Sequence, residues 1–325
     1  LTIDQLKEKV YDCDPSEWTQ HPNGLGWVKI GAKADSSCLI EGLVFDNARV
    51  SGNARVSGNA AVSGNARVFG NARVSGDAAV SGNARVFGNA VVFGDARVFG
   101  NARVSDNAAV SGNAAVSGNA RVFGDAWVSG NARVFGNARV FDNARVSGNA
   151  AVSGNARVFG NAVVSGNAAV SGDAVVFGDA RVFGNAVVFG NAVVFGDARV
   201  FGDARVSGDA RVSGNARVSG NAVVSGNARV SGDAWDVSPL QIQGTKHFCC
   251  AWSRERISIG CEVHEIGWWL EHYAAVGRKE KYSAEQIEEY GAYIRLFALR
   301  YKPELLSGSA PQRRARAASR KNIAG

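Results

Sequence analysis

Valine recurs at every sixth residue from Val44 to Val230, 32 times, without an insertion or a deletion. An alanine stands four places after each of them. So short a unit cannot bury its own apolar side chains and must stack on the next, which makes this stretch a solenoid. A typical unit reads Val56-Ser57-Gly58-Asn59-Ala60-Ala61. Side chains along a strand alternate between faces, so Ala60 and Val62 share one face while Ala61 and Ser63 share the other. The apolar pair is expected to point inward. Between successive strands stands Gly, replaced by Asp at 46, 106 and 142, and then Asn or Asp. These types tolerate positive φ and mark the corners. The pattern predicts a strand of about four residues and a two-residue corner in every unit.

Over about 60% of the chain this pattern resembles the hexapeptide-repeat left-handed parallel β-helix. The resemblance implies a mainly β chain with three hexads per triangular coil and about 10 to 11 coils. At ~4.8 Å per strand the rod would be about 50 Å long. Periods of five or nine residues, which mark other solenoids, are absent. A disordered tract would need polar residues where Val and Ala stand.

Stacking positions 18 apart sorts the outward residues onto three faces. One carries Arg49, Arg67, Arg85, Arg103, Arg121, Arg139 and Arg157, then Val175 and Val193, then Arg211 and Arg229. Two residues on run Phe69, Phe87, Phe123, Phe141, Phe159, Phe177 and Phe195. A second face is small, with Ala61/Ser63, Ala79/Ser81, Ala115/Ser117, Ala151/Ser153 and Ala169/Ser171, interrupted by Arg97/Phe99, Arg133/Phe135 and Val187/Phe189. The third is mixed and holds Trp127.

Four segments follow from the change of pattern: a cap over 1–43, the solenoid over 44–235, a small α+β module over 236–306 and a flexible basic tail over 307–325. In the cap, Thr2 and Gln5 form a capping-box pair that opens a short helix with Leu6 and Val10 on one side. Imperfect first strands are expected around Ile30, Ala34, Cys38 and Ile40. After Pro239, short strands are predicted over Leu240–Gly244, Lys246–Trp252 and Arg256–Val263, then a helix ending at Gly277 and a second helix capped by Ser283 and Gln286. The run from His21 to Val28, "HPNGLGWV", and the run "LQIQGTKHF … ISIGCEVHEIGWWLEHY" resemble segments of bacteriophage and prophage hexapeptide-repeat proteins, most without an assigned function. That resemblance implies a phage context and, with it, association with a virion.

The segment charges of −3, +6 and +4 for 1–43, 44–235 and 236–325 make the chain modestly basic at +7. Arg313, Arg314, Arg316, Arg320 and Lys321 make the tail a candidate nucleic-acid contact, or a plain solvated terminus. No apolar run is long enough for a membrane span, and the first residues lack the plan of a secretory signal, so a cytoplasmic site of synthesis and no membrane partner are expected. Five irregularly spaced cysteines argue against a disulfide framework.

Enzymes that resemble this solenoid are acyltransferases, which need a His beside the coils, and γ-type carbonic anhydrases, which need several His ligands for zinc. No His lies between His21 and His247, and no inserted loop interrupts the hexads to build an acyl-donor pocket. A non-enzymatic structural or binding protein with no catalytic residues is the expectation, with acyl transfer as the enzyme alternative. The metal-like cluster is His247, Cys249, Cys261 and His264, four residues of tetrahedral zinc chemistry. Its plainer reading is reduced thiols in a core. No other cofactor is expected. The Arg/Phe face is the main candidate binding surface: exposed Phe rows and guanidinium–ring stacking suit homo-oligomer packing, a protein or glycan partner, or a polyanion. The ~4.8 Å spacing does not match the ~3.4 Å base rise of DNA, which counts against a readout in register with bases. Arg stems laid over the rings would give the same rows with no partner.

Overall fold

The computed structural model describes residues 2–10 and 13–307, so the basic-tail residues 313–321 lie outside the described residues. The chain divides into two compact units, Leu1–Pro239 and Leu240–Gly325.

In the first unit, three sheets of 13, 12 and 12 strands run the length of a solenoid, and among the described residues their strands pair in parallel except for Trp18–Gln20, which is antiparallel to Trp27–Lys29. Coil residues pair with those 18 further on, as Arg67 with Arg85 and Val68 with Val86. Every coil valine and alanine of the inward set, from Val44 and Ala48 to Val230, is buried to within 1%. The inward and outward assignment therefore follows the alternation of the strand. Three features depart from the sequence pattern. The stack reaches about 12 coils, not 10 to 11, because Trp27–Lys29, Lys33–Ala34 and Leu39–Ile40 pair in parallel with Leu43, Arg49 and Arg55 across a shorter step of 16 residues. Most strands are two residues long, not four, because the chain turns at each positive-φ corner, although the ladder bonds continue around it, as from Asn65 N–H to the Gly82 carbonyl at 2.7 Å. Only the first corner residue has positive φ, for example Gly64 at 64°.

That last point defines the corner chemistry. The Ala66 N–H bonds to the Ser63 carbonyl at 3.3 Å, closing a four-residue turn whose first central residue is Gly64. Positive φ at that position alone is the signature of a type II′ turn. A Cβ on Gly64 would lie 2.9 Å from the Gly82 nitrogen, so stacking and φ both favour glycine. Asp46, Asp106 and Asp142 take the same position at φ of 57–60°. Each accepts a hydrogen bond from the glycine N–H one coil further on, Gly64, Gly124 and Gly160.

The expected capping box holds: Thr2 and Gln5 cap helix α1 (Ile3–Lys9). Leu6 packs with Trp18, Trp27 and Leu43, and Lys9 reaches the Asn59 side chain at 2.6 Å. The helix thus covers the first rungs of the small-residue sheet, leaving the outward Leu43 5% exposed.

The second unit carries an antiparallel sheet of β1 (Gln241–Gln243), β2 (Phe248–Ala251), β3 (Arg256–Ile259) and β4 (Glu262–Glu265), in that order. The stretch Arg256–Val263, expected as one strand, is broken at Gly260, whose φ of 59° turns the chain back. Helices α2 (Ile266–Lys279) and α3 (Ala284–Tyr301) follow. Helix α2 runs past Gly277, which is buried beneath Ile287, where an added Cβ would lie 2.8 Å from Ile287 Cγ1. Ser283 and Gln286 cap α3 reciprocally, and Tyr290, Ile294 and Phe297 form its buried stripe.

Candidate functional site

Three columns of side chains run side by side along one sheet of the first unit. Each hexad of that sheet contributes an Asn or Asp, an Arg (Val at 175 and 193) and a Ser or Phe at alternate positions, so all three point outward together. The Arg column is in register from Arg49 to Arg157, where paired strands place each guanidinium-bearing residue beside the next. None of the ion pairs found among the described residues involves these seven arginines. Unit charges ~5 Å apart in water repel by roughly 1 kcal/mol, so the column forms a strip of positive potential with no neutralising carboxylate in contact.

The Asn column was legible only as a corner. In the structure it is a hydrogen-bonded ladder: Asn83 donates to Asn101, then Asn119, Asn137, Asn155 and finally Asp173, at 2.9–3.2 Å. The signal available in the sequence was Asn recurring at 18-residue intervals until an Asp. Between this ladder and the arginines lies a groove of about 440 Å³, walled by Asn119, Asn137 and Asn155 on one side and Arg121, Arg139 and Arg157 on the other, with Asp173 at its end.

The Phe column differs from the expectation of exposed rows. Phe123, Phe141, Phe159, Phe177 and Phe195 stack face to face with centroids 4.8–5.3 Å apart, and Phe69 stacks on Phe87 at 4.9 Å. Each ring covers its neighbour, which leaves the column half-buried. Ser105 interrupts it between Phe87 and Phe123 and is itself buried. Nor does any Arg stack on these rings: the cation–ring contacts among the described residues involve Lys29, Lys246 and Arg300. The exposed phenylalanines are those without a stacked neighbour, including Phe99, Phe135 and Phe189 on the small-residue sheet at about 40%.

The candidate zinc residues are not brought together. Cys249 lies on β2, His264 on β4, and β3 stands between them, pairing with both. Cys261 is exposed in the turn after Gly260, whereas Cys249 is buried. Burial pushes the Cys249 thiol up to about 12. His264 stacks on Trp268 at 3.7 Å and its Nε2 lies 3.0 Å from Glu262. The ring of His247 packs near Tyr282 at 5.8 Å. Among the described residues no group of three or more His, Cys, Asp or Glu is placed to hold a metal ion.

Parallel sheets closed into stacked coils, with the whole inward set buried and no loop leaving the stack, define a β-solenoid repeat protein. In agreement, the family model of the YdcK beta solenoid repeat matches residues 44–58, 48–64, 60–76, 66–82, 78–94, 96–112, 114–130, 138–154, 150–166, 180–196 and 210–226, all inside the coils. No curated protein matches the chain. Among the described residues no helix is long and apolar enough to cross a membrane.

Proposed function

We propose that this is a non-enzymatic binding protein whose solenoid holds a linear polyanion along the arginine sheet. The observation that carries the reading is the in-register column Arg49–Arg157, which contacts no carboxylate in an ion pair and is flanked by an amide ladder. Guanidinium groups bind carboxylate or sulfate through paired N–H donors, and Asn side chains supply hydroxyl-compatible donors and acceptors. The ring faces of the Phe column are spent on each other, so stacking of nucleobases is disfavoured and an acidic glycan fits better. A pyranose unit is also about as long as the spacing of the arginines. The test is titration with dextran sulfate against neutral dextran and single-stranded DNA. The reading requires the sulfated glycan to bind and neutral dextran not to; equal binding of both glycans would overturn it.

A second reading, self-association, is favoured by a different sheet. Phe99, Phe135 and Phe189 stand about 40% exposed among Ala/Ser rungs, and isolated apolar knobs on a flat surface suit packing against a second copy. Molar mass by light scattering at low and high salt tests it, a monomer at both salts being the contrary result.

A further inference from the structure

The second unit contains a cleft that the solenoid chemistry does not use. It measures about 90 Å³ and lies between β3–β4 and the two helices, with Trp269, Tyr273, Tyr282 and Tyr290 among its walls. The acidic residues lining it are Glu262 and Glu280, and no Lys or Arg lines it. The walls are held in place. Trp269 Nε1 donates to the Ile257 carbonyl at 3.0 Å, which satisfies the indole and leaves its ring as an apolar surface. Tyr290 donates from its hydroxyl to the His247 carbonyl at 2.9 Å and accepts from the Lys246 N–H at 3.0 Å. Tyr273 lies directly over Gly291, where any Cβ would meet its ring.

Aromatic walls with carboxylates beside them attract one class of ligand. The quadrupole of each ring is negative on its face and draws a cation. Two carboxylates disfavour an anion, and a neutral apolar guest would make no use of them. The chain itself uses this corner for a cation: the Lys246 ammonium, which does not line the cleft, stands 4.4 Å from the Tyr282 ring centroid and donates to the Glu280 carbonyl at 2.7 Å. We propose that the cleft binds a small alkylated ammonium compound free in solution.

The experiment is calorimetric titration of the full chain with choline and with its uncharged isostere 3,3-dimethylbutan-1-ol. The expected result is saturable choline binding, with the isostere weaker by at least about tenfold. Glu262→Gln and Glu280→Gln should each weaken choline binding severalfold; both residues line the cleft and are largely exposed, so these variants keep the fold. Tyr282→Leu should abolish binding. Equal affinity for choline and the isostere, a choline titration that does not saturate, or undiminished binding by the Glu262→Gln/Glu280→Gln double variant would each overturn the proposal. Because dextran sulfate binding depends on arginines of the other unit, its presence or absence is read separately.

Discussion

The side-chain amide of Asn155 donates to Asp173 at 2.9 Å, and there the ladder ends. An aspartate can accept from the coil before it but has no proton to pass on. The next segment starts afresh, with Asn191 donating to Asp209 at 3.0 Å. Asp125, Asp179 and Asp203 receive the last bond of their ladders in the same way. Choice between Asn and Asp at one corner position thus sets how far each ladder runs.

Replacing Asp173 by Asn should therefore join the two segments. The expected gain is about 0.5–1 kcal/mol, seen as slower hydrogen exchange of backbone amides near 155–191. Asn137→Ala should have the opposite local effect. Unchanged exchange in both variants would show that the ladder adds nothing to stability.

Corner glycines should differ in how much they resist substitution. Gly124 has φ of 70° and a Cβ there would lie 2.8 Å from the Asp142 nitrogen; Gly232 has φ of 88° and open space around the added atom. Gly232→Ala should cost about 1 kcal/mol from φ alone, and Gly124→Ala on the order of 3 kcal/mol. Urea unfolding followed by far-ultraviolet circular dichroism gives both values, and equal costs would contradict the stacking account.

Thiol reactivity should follow burial. Cys261 is exposed, and the Cys249 thiol is pushed up to about 12 by desolvation. Iodoacetamide at pH 8 should modify Cys261 well before Cys249, as read by peptide mass spectrometry. Comparable rates at the two would mean that the sheet opens readily.

The second unit should weaken in acid through Glu289. Its carboxylate accepts from the Thr245 hydroxyl and N–H and from the Tyr293 hydroxyl, and the Thr245 hydroxyl is the main reason it is held below the usual glutamate range. A depressed folded value means the contribution is complete above the unfolded value and is lost as pH falls below the ordinary glutamate range toward the folded one. Glu289→Gln should flatten that part of the profile of thermal stability against pH. An identical profile in the variant would assign the acid loss elsewhere.

Much of the first unit was legible because a strict hexad leaves one way to bury Val and Ala. Register, faces and the stacking of Arg67 on Arg85 all follow from alternation and an 18-residue coil. What escaped had no period to announce it. The imperfect first strands expected around Ala34 and Ile40 are present as Lys33–Ala34 and Leu39–Ile40, but their pairing at a step of 16 residues, shared by Trp27, is invisible to a hexad count. The burial of the Phe column depends on ring rotamers, which sequence does not specify. In the second unit the turn at Gly260 leaves Cys261 exposed at the end of β3 and places His264 one strand away from Cys249, which is buried, so proximity in sequence did not assemble a ligand set. The cleft is assembled from two strands and two helices, and no local motif signals it.

The most direct test of the polyanion reading is the salt dependence of dextran sulfate binding, compared between the parent chain and the triple variant Arg121→Ala/Arg139→Ala/Arg157→Ala. These side chains are outward and exposed, so the coils should stay folded, which circular dichroism checks. Loss of three phosphate-like contacts should flatten the slope of log K against log salt by about 2, while the same number of alanines at Arg97, Arg133 and Arg205 on the small-residue sheet should leave it unchanged. Equal slopes for the two triple variants would contradict the assignment of the polyanion to the arginine sheet.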